Sequence, residues 1–239
     1  MDLKPGLEIQ AGGERLTLLP EKAIWWARES VLLVADVHIG KAVSFRRLGV
    51  PVPRGTTSET FERLSALIER LGAKRVIFLG DFLHSANSHA PATLAAAARW
   101  RERHASSELT LVRGNHDKRA GDPPALWRID VVDEPLHLGG LALCHHPQPP
   151  RGADSGAHSG AYQLAGHLHP CISVGKGIDR LRLPCFHFAA AGAVLPAFGG
   201  FTGMHPIAQR EDDLGVFLVA GERVLPLSAA QALRCASAT

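Results

Sequence analysis

Five short polar pieces, each just after an apolar β-prone run, hold the residues of this chain that could do chemistry. They are Asp36-Val37-His38, Gly80-Asp81-Phe82-Leu83-His84, Gly114-Asn115-His116-Asp117, Cys144-His145-His146 and Gly166-His167-Leu168-His169. Their donors are carboxylate, amide and imidazole, with one thiol at Cys144. Such a mixture suits Mn²⁺, Fe or Zn²⁺; the oxygen content favours Mn²⁺, and Mg²⁺ stays open. One ion needs three or four ligands, and at least seven are on offer, which points to two divalent ions. Asp81 is the natural bridge, because each of its two oxygens can take one metal. Two ions roughly 3.5–4 Å apart can activate a bridging hydroxide and clamp both oxygens of an in-line displacement. A water acidified in this way needs no protein nucleophile.

Histidine is the commonest neutral metal ligand and the usual acid or base near pH 7. The chain has 13, and His38, His84, His116, His145, His167 and His169 all fall in the five pieces. A lone Asp or His at a strand end is more often a turn residue or a satisfied core side chain, but five such pieces reverse that reading. His89, His104, His137, His158, His187 and His205 have no motif and read as ordinary surface or core histidines.

The whole chain bounds the setting. With 239 residues, 46% of them hydrophobic, it can bury a large core, read here as a single domain over 1–239. A net charge of +3 permits a polyanionic partner without demanding one. No apolar run approaches the roughly 20 residues of a membrane span, and the start lacks signal-peptide order. A cytoplasmic protein without membrane contact is expected, and a homo-oligomer is compatible with the sequence. Cys144, Cys171, Cys185 and Cys235 show no CxxC pairing and read as buried reduced thiols.

Elements must bring the five pieces together. Residues 7–19 read as a hairpin around Gly12-Gly13, and Trp25-Trp26 lead into the buried strand Val31 to Ala35. Gly40 to Arg54 reads as irregular, broken by Gly49, Pro51 and Pro53. It carries Lys41, Arg46, Arg47 and Arg54 and no acid, so these cations could contact substrate phosphates. Thr56 to Leu71 is an amphipathic helix with Glu59 and Arg63 paired at i,i+4 and a stop at Gly72. Arg75 to Leu79 is the second buried strand, and Pro91 to His104 an Ala-rich helix whose arginines read as a solvated face. Leu109 to Val112 then delivers the Gly114 piece, where Gly114 is expected to permit a tight turn.

This β-α-β-α-β order implies a parallel sheet covered by helices. The second half has short strands over Ile129 to Val132, Leu141 to Cys144, Tyr162 to Ala165, Leu181 to Phe188 and Val216 to Val219. They imply a second, largely antiparallel sheet. Pro147 to Gly160 and Ala197 to His205 read as loops, and Ser228 to Leu233 as a late helix. In open α/β sheets ligands bind beyond the carboxyl ends of strands, so the five pieces should share one cleft.

Asp-x-His, Gly-Asp-x-x-His, Gly-Asn-His-Asp, a His after an apolar run and Gly-His-x-His, in this order, resemble the calcineurin-like metallophosphoesterase superfamily. The match spans residues 36 to 169. It implies an α/β fold, a four-layer α/β/β/α sandwich of two packed mixed sheets flanked by helices. It further implies that Asp36, His38 and His169 hold one metal, that Asn115, His145 and His167 hold the other, and that Asp81 bridges them. His116 would act at the leaving oxygen, and Asp117 would orient His116 or shape the pocket. His84 stands where many members carry an acid, and is expected to support the ligands from behind. Cys144-His145-His146 offers two imidazoles for one ligand position; His145 is preferred and His146 stays open.

A finer resemblance is to the bacterial ligase-associated DNA damage response endonucleases (PdeM). It rests on Ala35-Asp36-Val37-His38-Ile39-Gly40-Lys41, Ser44-Phe45-Arg46-Arg47, Gly49-Val50-Pro51-Val52-Pro53, and Leu195-Pro196-Ala197-Phe198-Gly199-Gly200-Phe201-Thr202-Gly203. It implies hydrolysis of single-stranded or damaged DNA in repair, with a DNA ligase, a helicase and an exonuclease as partners. Phe45, Phe198 and Phe201 could stack on bases, although core packing is the plainer reading. The alternative substrate is a small nucleotide or a nucleotide-linked compound.

Overall fold

The computed structural model of the chain describes residues 6–52, 55–148, 160–175, 180–208 and 213–227. A first sheet has seven strands in chain order: β1 (Leu7–Ala11), β2 (Glu14–Leu19), β3 (Ala23–Trp26), β4 (Val31–Val34), β5 (Arg75–Leu79), β6 (Glu108–Val112) and β7 (Ile129–Val132). Strands β1 to β4 pair antiparallel, and β4 to β7 pair parallel. Helices α1 (Lys41–Arg47) and α2 (Thr56–Leu71) link β4 to β5, while α3 (Pro91–Arg103) links β5 to β6 and α4 (Asn115–Ala120) follows β6.

The second sheet is built from β8 (Leu136–Leu138), β9 (Leu141–Leu143), β10 (Tyr162–Ala165), β11 (Pro170–Val174), β12 (Leu181–Ala189), β13 (Gly192–Val194), β14 (His205–Pro206), β15 (Asp213–Ala220) and β16 (Arg223–Pro226). It runs β14-β11-β12-β13-β10-β9-β8, with β15 joining β12 to β16. Antiparallel pairs dominate, as expected, but β9 with β10, β10 with β13 and β11 with β14 are parallel. Both sheets are therefore mixed.

Alternation along β4 explains the layers. Leu32 and Val34 face α2 and α3 through Phe61, Leu64, Ile68 and Trp100, together with Phe78 of β5 and Leu111 of β6. Val31, Leu33 and Ala35 face the other way and meet the second sheet at Leu143, Leu164, Phe186 and Phe188. A strand buried on both faces must be apolar throughout, as Val31–Val34 is. A smaller cluster of Ile172, Cys185, Val216, Leu218 and Leu227 lies in the second sheet. The late helix expected over Ser228 to Leu233 falls outside the described residues, as does most of the loop expected over Pro147 to Gly160.

Several local expectations change. The lead-in Trp25-Trp26 belongs to a strand of its own, β3. The segment read as irregular from Gly40 opens with α1, because Lys41 to Arg47 contain neither Gly nor Pro and the breakers come only from Gly49 onward. Arg63 feels the charge of its expected helical partner Glu59 and of Glu21. Its guanidinium lies 4.0 Å over the Phe198 ring and donates to the Phe198 carbonyl. Arg101 is buried instead of solvated, folding back onto the His104 and Ala105 carbonyls at the end of α3. No described helix is long and apolar enough to cross a membrane.

Candidate metal centre

The five pieces follow five strands, of which β4, β5 and β6 are parallel in one sheet and β9 and β10 are parallel in the other. Their side chains meet in one cleft, where His145 reaches Asn115 and His169 reaches His38. The first two pieces are zipped together by backbone bonds from the His38 amide to Asp81 O (2.9 Å) and from the Ile39 amide to Phe82 O (2.8 Å). The two sheets are tied at the site by the His167 amide, which donates to Asp36 Oδ2 at 2.9 Å. Phe198 and Gly199 donate back to the Ala35 and Asp36 carbonyls, which fixes the late Leu195–Gly203 stretch against the first piece.

The backbone here is held in an unfavourable region. Asp36, His38, Asp81, His167 and His169 all have φ between 49° and 71°. Such conformations cost non-glycine residues of order 1–3 kcal/mol each, and persist where the surroundings over-determine them.

Donor nitrogens point inward in pairs. The Nδ1–H of His145 donates to Leu79 O at 3.1 Å, so its Nε2 lone pair faces His167 Nδ1 at 3.1 Å and Asn115 Oδ1 at 3.0 Å. The Nδ1–H of His169 donates to Gly203 O at 3.0 Å, leaving its Nε2 lone pair 3.3 Å from His38 Nε2 and 3.4 Å from Asp36 Oδ1. Backbone carbonyls thus set the tautomers of His145 and His169, the usual device for aiming a ligating imidazole. Asp81 sits between the groups, with Oδ1 3.4 Å from His145 Nε2 and Oδ2 4.0 Å from His38 Nε2. In Asp36-His38-His169 and in Asp36-Asp81-His145 the ligand atoms lie within 4.8 Å of one another.

A cation fits this arrangement. Asp36 Oδ1 is buried without a hydrogen-bond partner among the described residues, and such an orphan is costly unless something else satisfies it. Burial, opposed by the His116 amide and reinforced by Asp36, raises the Asp81 carboxyl to about 8. Burial lowers His145 to about 4 and pushes His38 far below the usual imidazole range, with Lys41 adding to the latter. These imidazoles are therefore neutral at pH 7, the form that ligates metal.

The remaining expected residues separate. His116 donates from Nδ1 to His84 O at 2.7 Å, its amide donates to Asp81 Oδ1 at 2.8 Å, and its Nε2 is 3.9 Å from Asp81 Oδ2. The His84 ring stacks on that of His116 with centroids 5.0 Å apart, and burial lowers its pKa to about 4. Asp117 is fully buried and accepts from the Leu83 amide (2.8 Å) and the Gly114 amide (3.0 Å), bracing the start of α4. Gly114 has φ −89°, so no special turn requires it. A Cβ there would lie 2.3 Å from Asp81 Oδ1, so the glycine is needed for close approach.

His146 bonds to Glu134, with Nδ1 2.7 Å from Oε1, while its ring stays 4.6 Å from those of His145 and His167, with which it forms a further group of possible ligand atoms. Glu134 also accepts from both the His145 and the His146 amides; it stands two residues past β7, and sequence reading missed it because Asp133-Glu134-Pro135 carries no histidine or asparagine beside the acid. Lys41 lines a small cavity with His38 and Phe201. Arg46 and Arg47 are exposed on α1, where Arg47 donates to Asn87 Oδ1, and Arg54 is outside the described residues. Phe198 is core, whereas Phe201 is partly exposed and packs edge-on against Phe45.

Residues 30–140 match the calcineurin-like phosphoesterase family. The crystal structure of the Pseudomonas putida nuclease MPE is similar at 43% identity, with a TM-score of 0.79, over 93% of this chain and 100% of that one. The chain belongs to the calcineurin-like phosphoesterase family. It is accordingly a metal-dependent phosphoesterase. A full-length nuclease relative is consistent with the endonuclease subgroup that the sequence resembles. Yfce, a phosphoesterase from E. coli, matches at 13% identity over 80% of this chain and 88% of that one, with a TM-score of 0.36. Comparison with curated proteins gives no match.

Proposed function

We propose that this phosphoesterase is a dinuclear phosphodiesterase that cuts DNA, preferentially single-stranded or damaged, in the service of repair. The observation that carries the two-ion reading is the pair of imidazole clusters whose nitrogens face each other at 3.1 and 3.3 Å. Nitrogens so close share either a proton or a cation, and the buried carboxylates of Asp36 and Asp81 beside them favour the cation. The choice of DNA is supported by the full-length 43% identity to a nuclease.

Asp36, His38 and His169 would hold one ion, Asn115, His145 and His167 the other, and Asp81 would serve both. His145, not His146, is the ligand at its position. Two divalent ions there, with Mn²⁺ favoured by the oxygen donors, supply Lewis acidity and a water acidified towards pH 7. The chain supplies the rest. His116 is held at Nδ1 by the His84 carbonyl, so its Nε2 is the nitrogen left to face the leaving oxygen, and as an imidazolium it would pass a proton there. Asp117 positions it by fixing the α4 start, and Lys41 binds substrate phosphate at the rim. Because both sheets contribute ligands, we read the chain as one domain.

The test is cleavage of single-stranded DNA by the Mn²⁺-loaded protein beside its His116→Ala variant. Cleavage falling about 10²–10⁴-fold at unchanged metal content is expected for loss of a general acid. A wild-type protein that turns over bis(p-nitrophenyl) phosphate yet leaves DNA intact would contradict the DNA reading.

A further inference from the structure

Beside His169 lies a cavity of about 210 Å³, walled by Lys22, Arg182, Pro170, Pro184, Met204 and the loop from Gly199 to Gly203. Its charged side chains are both cations, and no carboxylate lines it among the described residues. Lys22 reaches in from the turn between β2 and β3, and its Nζ donates to Gly199 O at 3.1 Å. An ammonium carries three N–H donors, so two remain for a ligand. Burial, with Arg63 adding to it, lowers the pKa of Lys22 to about 7, as happens to a buried cation that lacks an anion. Arg182 is exposed on β12, at the mouth.

His169 joins this cavity to the reaction centre. Its Nε2 belongs to the donor cluster, while its Nδ1 holds the Gly203 carbonyl in the cavity wall. Whatever occupies the cavity therefore sits one imidazole width from the reacting phosphate. The volume is below the roughly 300–1,000 Å³ of sites that enclose a whole drug-sized ligand, and suits a phosphate with its sugar.

The geometry points to this cavity as a subsite for the phosphate adjacent to the scissile one on a nucleic-acid strand, with Lys22 at its floor and Arg182 at its lip. This inference rests on the DNA phosphodiesterase reading. It explains why a lysine is held in a left-handed backbone (φ 68°) to place an ammonium inside the protein, where a mere strut between loops would need no charge.

The experiment compares kcat/KM of the Mn²⁺-loaded full chain on three substrates. They are TpT, which has only the scissile phosphate, and pTpT and TpTp, each with its terminal phosphate blocked as a methyl ester. In the wild type one added phosphate should raise kcat/KM about tenfold, as one charge-assisted contact does. In Arg182→Gln and in Lys22→Met that gain should shrink to about twofold or less; the exposed Arg182 keeps the test open should Lys22→Met misfold. A gain that is absent from the wild type, or that survives intact in the variants while all three rates fall together, overturns the subsite. A wild type that cuts none of the three but turns over bis(p-nitrophenyl) phosphate instead fails the DNA reading, and the subsite with it.

Discussion

Asp81 shows what burial does to a candidate ligand in the absence of a cation. Its carboxyl is 2% exposed and close to Asp36, and its pKa is pushed up to about 8. In the metal-free protein at pH 7 it is therefore mostly protonated, and a cation must displace that proton, so metal affinity should rise with pH up to about 8. Infrared spectroscopy checks this: metal-free wild type at pH 7 should show a protonated-acid carbonyl band that Asp81→Asn lacks and that metal removes. Identical spectra for wild type and variant would count against it. Gly114 gives a second test. Because a Cβ would meet Asp81 Oδ1 at 2.3 Å, Gly114→Ala should lower metal occupancy and turnover about 10–100-fold, the range for ligand-supporting positions. Metal analysis with a bis(p-nitrophenyl) phosphate assay on folded protein reads it, and full occupancy would refute it. The candidate ligands were legible in the sequence because Asp, His and Asn sit locally at strand ends. The partners that aim them were not: the carbonyls of Leu79 and Gly203 reach the site by tertiary approach, which leaves no local pattern, and Glu134 stands past β7 without a histidine or asparagine to mark it.

At the scale of elements, the site depends on strands β4, β5 and β6 staying in register, since each carries a candidate ligand just past its end. Phe78, fully buried in β5, packs at 4.6 Å against Phe82, which lies between Asp81 and His84. Phe78→Ala should cost about 3–5 kcal/mol of stability, and the metal-binding loop should loosen with it. Denaturant unfolding measures the first effect; a cost under about 1 kcal/mol would show that the strand is not packed as described. The buried strands and α2 were readable because their apolar period is strong. Strand β3 and helix α1 were not. Trp25-Trp26 is too short a run to announce a strand, and the glycine and prolines near α1 mask seven helix-compatible residues.

At the scale of the whole molecule, two sheets face each other and the site closes only where both end. The first sheet brings Asp36, His38, Asp81 and Asn115; the second brings His145, His167 and His169. The parallel half was legible from β-α-β order. The mixed order of the second sheet, with β13 between β10 and β12, was not, because pairing between distant segments is decided by packing. Asp81 is the hinge of the arrangement, within reach of His38 on one side and His145 on the other. The most direct measurement is therefore metal content per chain in Mn²⁺-reconstituted wild type and Asp81→Asn. The account predicts about two ions in the wild type and fewer than about one in the variant, with turnover lost. About one ion in both proteins, with turnover retained by the variant, would contradict it.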